Sequence, residues 1–270
     1  YDFNKNPLQL SQKVLHSAKK NLEAISEIEH ADAFGVDFHK TFAPLTSSMF
    51  VYKNKDEFEQ LLSREEAAYL QERGDYNPHQ YTLEVSRNAS GSMAGWATLK
   101  YLGAEGIQSI LAHGLHNKNI LLEKLDDFND MVCVNDEDHG SVALIRIYPE
   151  HIDAKNAYEQ ELFQPLFSGQ LAVYNDLTQK IGDLLWKWFR ERKTINGLPT
   201  AYLSFTKGFR TTRYEDSTEQ QPVYALKIYP VSVFVNDEHI LHAIRCIRAA
   251  REEIINSEAW KDEVFETDQL

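Results

Sequence analysis

The chain has 270 residues with a net charge of −13, 43% hydrophobic residues and 26% charged residues. This is the composition of a globular protein with a sizeable core, and the acidic balance argues against a polyanionic partner, so no nucleic acid is expected. No apolar run reaches the length of a membrane span, and the two cysteines, Cys133 and Cys246, stand in no metal-ligand spacing, so a cytoplasmic location and no membrane are expected.

Residues 7 to 29 carry apolar positions three and four apart (Leu10, Val14, Leu15, Ala18, Leu22, Ile25, Ile28), which predicts a helix. Two short strands follow, the second from Ser47 to Tyr52, and between them comes Asp37-Phe38-His39-Lys40. Asp56 to Leu62 reads as a short helix, and residues 63 to 80 as a polar, mobile segment. A long helix is expected from Gly91 to Leu102, continued after Gly103 from Glu105 to Leu125. Met131 to Val134 and Ser141 to Tyr148 form a hairpin pattern around a polar turn. Asp153 to Arg192 is mostly helical, interrupted near Pro165 and Gly169. Thr200 to Thr206 and Val223 to Tyr229 read as strands, and Asp237 to Asn256 as a helix. The later strands covered by helices make an α+β layer.

Lys40 is the residue most suggestive of chemistry. It ends an apolar segment, where partial desolvation would lower its pKa and leave free amine to attack a carbonyl. Asp-Phe-His-Lys, the preceding Ala31-Asp32-Ala33-Phe34 and the strand that follows resemble the His-Lys signature of group II pyridoxal-phosphate decarboxylases. That family includes glutamate, aromatic amino-acid and diaminobutyrate decarboxylases.

The resemblance implies a fold-type I α/β architecture, present as the back part of the cofactor domain (residues 1–110) and a small α+β C-terminal domain (111–270). It implies decarboxylation of an L-amino acid to its amine and carbon dioxide, with pyridoxal 5'-phosphate as cofactor and Lys40 as Schiff-base lysine. It also implies a homodimer and an upstream half of the same protein carrying further cofactor-binding residues.

Residue by residue, the resemblance places His39 and Asp37 beside the cofactor. Asp37 would repel a phosphate, so it is expected to contact Lys40 or a backbone amide instead. Tyr69, 29 residues after Lys40, would be the acid on a closing loop, with Tyr76 and Tyr81 as competitors. Ser86-Arg87-Asn88 matches the family's Ser-Arg-Arg except at its last position, and Ser86 and Arg87 would approach the partner's cofactor. Lys227 falls near the family's carboxylate-gripping arginine, though a lysine lacks the bidentate fork.

Two histidine pairs, His113/His116 and His239/His242, have helical spacing that could hold a metal but lack a third ligand; solvated helix faces are expected there. The reading from another class is a catalytically silent dimerisation or partner-binding module derived from such an enzyme.

Overall fold

A computed structural model describes residues 1–42, 48–54, 56–57, 88–258 and 260. They fall into two compact units, one of residues 1–10 and 18–111, the other of residues 11–17 and 112–270.

The predicted first helix is α1, Gln12–Ser26, followed by a 3-10 turn at Glu27–His30. In the first unit, β1 (Ala33–Asp37) and β2 (Ser48–Tyr52) pair antiparallel, Ala33 opposite Tyr52 and Asp37 opposite Ser48. The long helix α2 (Ser90–Leu125) is interrupted at Gly103, whose φ of 61° lies in the left-handed region that glycine enters without a Cβ penalty.

The second unit is built on a four-stranded antiparallel sheet of β3 (Met131–Cys133), β4 (Ala143–Ile147), β7 (Ser204–Thr211) and β8 (Pro222–Ile228), in the order β3-β4-β8-β7. Between its two halves come α3 (Ala154–Phe163), α4 (Ser168–Arg190) and a small ribbon of β5 (Thr194–Ile195) and β6 (Leu198–Pro199). Asn196 and Gly197, both at positive φ, make the two-residue turn of that ribbon. Helix α5 spans Asp237–Ile255.

Alternation along β4 decides the core. Ala143, Ile145 and Ile147 face one side, where they meet Leu226 and Ile228 of β8, Leu121 and Leu125 of α2, Leu177, Ile181 and Leu185 of α4, and Ile244 and Ile247 of α5. Leu144 faces the other way and packs with Val134 and Ala225. Both faces of β4 are therefore covered, which is why all five of its residues are buried.

Helix starts follow their capping residues. Asp153 accepts from the amides of Lys155 and Asn156 at the head of α3, and Asn236 with His239 forms a reciprocal capping box on α5. His239 thus serves a helix end. The expectation of solvated histidine faces needs correcting at two positions: His242 is buried, its Nε2 2.8 Å from the Pro199 carbonyl, and His113 is half-buried, 3.1 Å from the Val235 carbonyl. The helix pattern showed their spacing, but only packing decided which faces were covered.

Candidate functional site

The turn that carries Lys40 is short. Strand β1 stops at Asp37, and Phe38–Lys40 form a 3-10 turn. A turn of this pitch brings i and i+3 side chains together, so the Asp37 carboxylate meets the Lys40 amine at 2.6 Å. The Ser48 hydroxyl, across the hairpin, donates to the other Asp37 oxygen. The Lys40 hydrogen bond first, and that of Ser48 second, hold the Asp37 carboxyl below the usual carboxylate range.

The desolvation expected for Lys40 is absent. Its side chain is 63% exposed, because the chain leaves the strand three residues earlier and the turn lifts the amine into solvent. His39 is exposed on the same turn, while Phe38 and Phe42 set their rings 5.7 Å apart. Asp37, His39 and Lys40 are therefore gathered into one turn. Lys227 belongs to the other unit, where it sits exposed on β8 opposite Leu144 and Ser204. Tyr69, Tyr76, Tyr81, Ser86 and Arg87 lie outside the described residues. At the head of α2, the Asn88 side chain accepts from the Ser90 amide at 2.8 Å.

Sequence reasoning missed the polar centre of the second unit. Arg146 is fully buried and meets Glu161 in a fork, Nε to Oε2 at 2.8 Å and Nη2 to Oε1 at 3.0 Å. Its Nη1 donates to Asn175 Oδ1 at 2.9 Å, and the Tyr148 hydroxyl donates to Glu161 at 2.8 Å. Burial works against the Arg146 charge, but Tyr148 and Glu161 outweigh it and keep the guanidinium firmly protonated, whereas burial and Glu161 push the Tyr148 phenol well up. The available signal was an arginine inside the apolar run Ala143-Leu144-Ile145-Arg146-Ile147, where a charge needs a buried partner.

Lys118 is buried as well, donating to the carbonyls of Asp138 (2.5 Å) and Asn135 (3.4 Å), and burial lowers its pKa. Asp130 pairs with the buried Arg251. These charged groups are saturated by the protein itself. Among the described residues no cluster of His, Cys, Asp or Glu could hold a metal, and both cysteines are buried and free.

Against pyridoxal phosphate, the described turn leaves the Lys40 amine within reach of a carbonyl, but its ion pair with Asp37 must open before the amine could attack. The phosphate end would rely on His39, since the Asp37 carboxylate repels an anion.

The chain matches no protein-family model and no curated protein sequence. Solved structures are similar in fold. Catharanthus roseus tryptophan decarboxylase in complex with L-tryptophan superposes with a TM-score of 0.54 at 14% identity, covering 85% of this chain and 40% of that one. Mouse CSAD in its apo form gives 0.56 at 10% identity, covering 88% and 43%. The protein is thus a mixed α/β chain with the fold of the back part of a fold-type I enzyme, as the resemblance implied. It spans about two fifths of the length of the structures it matches. No described helix is long and apolar enough to cross a membrane.

Proposed function

We propose that the chain is the C-terminal part of a pyridoxal-phosphate-dependent decarboxylase acting on an L-amino acid, with Lys40 as the Schiff-base lysine. The observation that supports this most is an accessible amine, held 2.6 Å from Asp37 on a hairpin turn, in a chain that shares its fold with a tryptophan decarboxylase. When bound, the cofactor supplies an electron sink that lets the bond from the α-carbon to the carboxylate break.

The chain's own residues supply anchoring and proton control. Asp37 stays ionised across neutral pH and holds the Lys40 amine at the turn. His39 donates toward the phosphate, and Ser86 and Arg87 contribute from the partner across a homodimer interface. Tyr69 delivers a proton to the α-carbon after carbon dioxide leaves, and Lys227 attracts the substrate carboxylate. The upstream half of the protein completes the cofactor pocket.

The test is borohydride reduction of the intact protein with bound cofactor, followed by peptide mapping. A cofactor mass fixed on Lys40, and loss of the near-visible absorbance band in Lys40→Ala, are the expected results. A label on another lysine, or an unchanged band in the variant, overturns the assignment.

A second reading is favoured by one observation. Lys40 is 63% exposed and ion-paired rather than desolvated, which suits a catalytically silent module used for dimerisation or partner binding. Under that reading the intact protein carries no cofactor band at all.

A further inference from the structure

Three aromatic rings gather at the end of α4 and on the chain just after β6. Trp186 stacks on Phe189 with centroids 5.8 Å apart, and Tyr202 closes the group at 4.8 Å from Trp186 and 5.7 Å from Phe189. All three are left roughly half exposed, at 43%, 48% and 51%. Rings already fixed against one another lose little entropy when a further apolar group settles on them.

The charge around the rings is of one dominant sign. Residues 187–213 hold seven basic residues and one acid, Glu191, in a chain of net charge −13. Lys193 and Arg210 are neutralised by Glu253 and Glu137. Lys187, Arg190 and Arg192 are exposed, and among the described residues none of them forms an ion pair with a carboxylate, although Asp183 and Glu191 are near in sequence. The Arg190 guanidinium lies 6.0 Å over the Trp186 ring. A helix C-terminus favours cations, which accounts for Lys187 and Arg190 but not for three rings left half in water.

The arrangement separates the occupants that could cover it. Two such surfaces meeting face to face would bring six cations together, and pairing with an acidic surface elsewhere on a second copy would propagate instead of closing. A bilayer is entered by side chains that project, whereas these rings are half covered and packed on one another. An anionic peptide with one large apolar side chain suits both parts. Its side chain finds the rings, and its carboxylates find two guanidinium forks and an ammonium group.

We propose that the surface of Trp186, Lys187, Phe189, Arg190, Arg192 and Tyr202 is a docking site for a short acidic segment of a separate partner protein, one in which carboxylates flank a large apolar side chain. That side chain rests on the ring group, and the carboxylates meet Lys187, Arg190 and Arg192. Charge pairs open to water and a half-buried anchor make the contact weak and salt-sensitive, with a Kd on the order of 0.1 mM.

The probe is the blocked pentapeptide Asp-Glu-Phe-Glu-Asp carrying a fluorophore, titrated with the full chain and read by anisotropy. Saturable binding is expected. It should weaken at least about fivefold when serine replaces the phenylalanine of the probe, and about as much in Trp186→Ala. Lys187→Glu/Arg190→Glu, which alters only exposed side chains, should weaken it about tenfold or more with an unchanged unfolding midpoint. Binding should also fall at 1 M salt, where the Debye length is about 3 Å. No saturation up to about 5 mM of the chain overturns the proposal, as does binding indifferent to the serine probe or to the charge reversal. Self-association in sedimentation that the charge reversal abolishes would assign the surface to a second copy instead. Tighter binding to phosphatidylserine-containing vesicles than to the peptide, lost in the same variant, would assign it to a membrane, and either result overturns the peptide assignment.

Discussion

Two cation–carboxylate pairs in this protein have opposite surroundings. In the second unit, Arg146 and Glu161 are 0% and 1% exposed and share two hydrogen bonds, with Asn175 and Tyr148 filling the remaining valences. In the first unit, Lys40 and Asp37 are 63% and 37% exposed and meet at 2.6 Å. The buried pair is closed to any ligand and locks a sheet to its covering helices. The exposed pair leaves an amine that solvent and small molecules can approach. Environment, rather than residue type, separates a structural ion pair from a candidate reactive one.

The largest expected effect tests the closed side of this contrast. Glu161→Ala leaves Arg146 buried and unpaired, which should destabilise the second unit by about 3–5 kcal/mol, read as a lower midpoint in denaturant unfolding. A loss no larger than that of a surface substitution would show that the network is not tightly closed. Gly182→Ala should come next. A Cβ there would approach Phe205 Cδ1 to 2.7 Å, so the ring must move; the strain, partly offset by better helix propensity, should cost about 1–2 kcal/mol in the same assay.

An intermediate case sharpens the comparison through pH. For Glu137, burial pushes upward, but the hydrogen bond from Arg210 prevails and lowers its pKa from 4.5 to about 2. Its folded value lies below its unfolded one, so its stabilising contribution is fully present above pH 4.5 and is lost as pH falls toward 2. Carboxyl-carbon NMR of the folded protein should show Glu137 titrating near 2, and Arg210→Gln should return it toward the ordinary range. The smallest effect belongs to the open pair. Lys40→Ala should leave the unfolding midpoint unchanged within error, because both partners keep access to water. In that variant the Asp37 carboxyl should rise toward its usual range, since its principal stabilising partner is gone. A clear stability loss would mean that the turn is more enclosed than its exposure indicates.

Most of the second unit could be read locally. The polar turn Asn135–Asp138 between alternating apolar runs gave the β3–β4 hairpin, and the helix starts near Asp153 and Asp237 were read from the pattern, their capping by Asp153 and Asn236 appearing only in the structure. Gly103 was legible as a break because only a residue without a Cβ enters that conformation cheaply. The Arg146 network was not, because its three side-chain partners lie 2 to 29 positions from Arg146 and meet only when the sheet and helices pack. The candidate site was half legible. The adverse charge that Asp37 would present to a phosphate left it either Lys40 or a backbone amide, and the structure shows Lys40; the exposure of Lys40 could not be read, since it depends on where β1 stops.

By itself the sequence determined most of the longer helices and strands and the grouping of Asp37, His39 and Lys40, because turn chemistry and periodicity act over a few residues. The short β5–β6 ribbon escaped it, and the strand expected at Thr200–Thr206 runs from Ser204 to Thr211. Tertiary structure alone decided which charges were withdrawn from water. Arg146, Lys118 and Arg251 are buried with partners, while Lys40 and Lys227 remain in solvent. Burial is a property of the whole packed unit. A lysine or arginine carries the same charge in either place, and the surrounding elements determine whether that charge is sealed into a network or left open to a ligand.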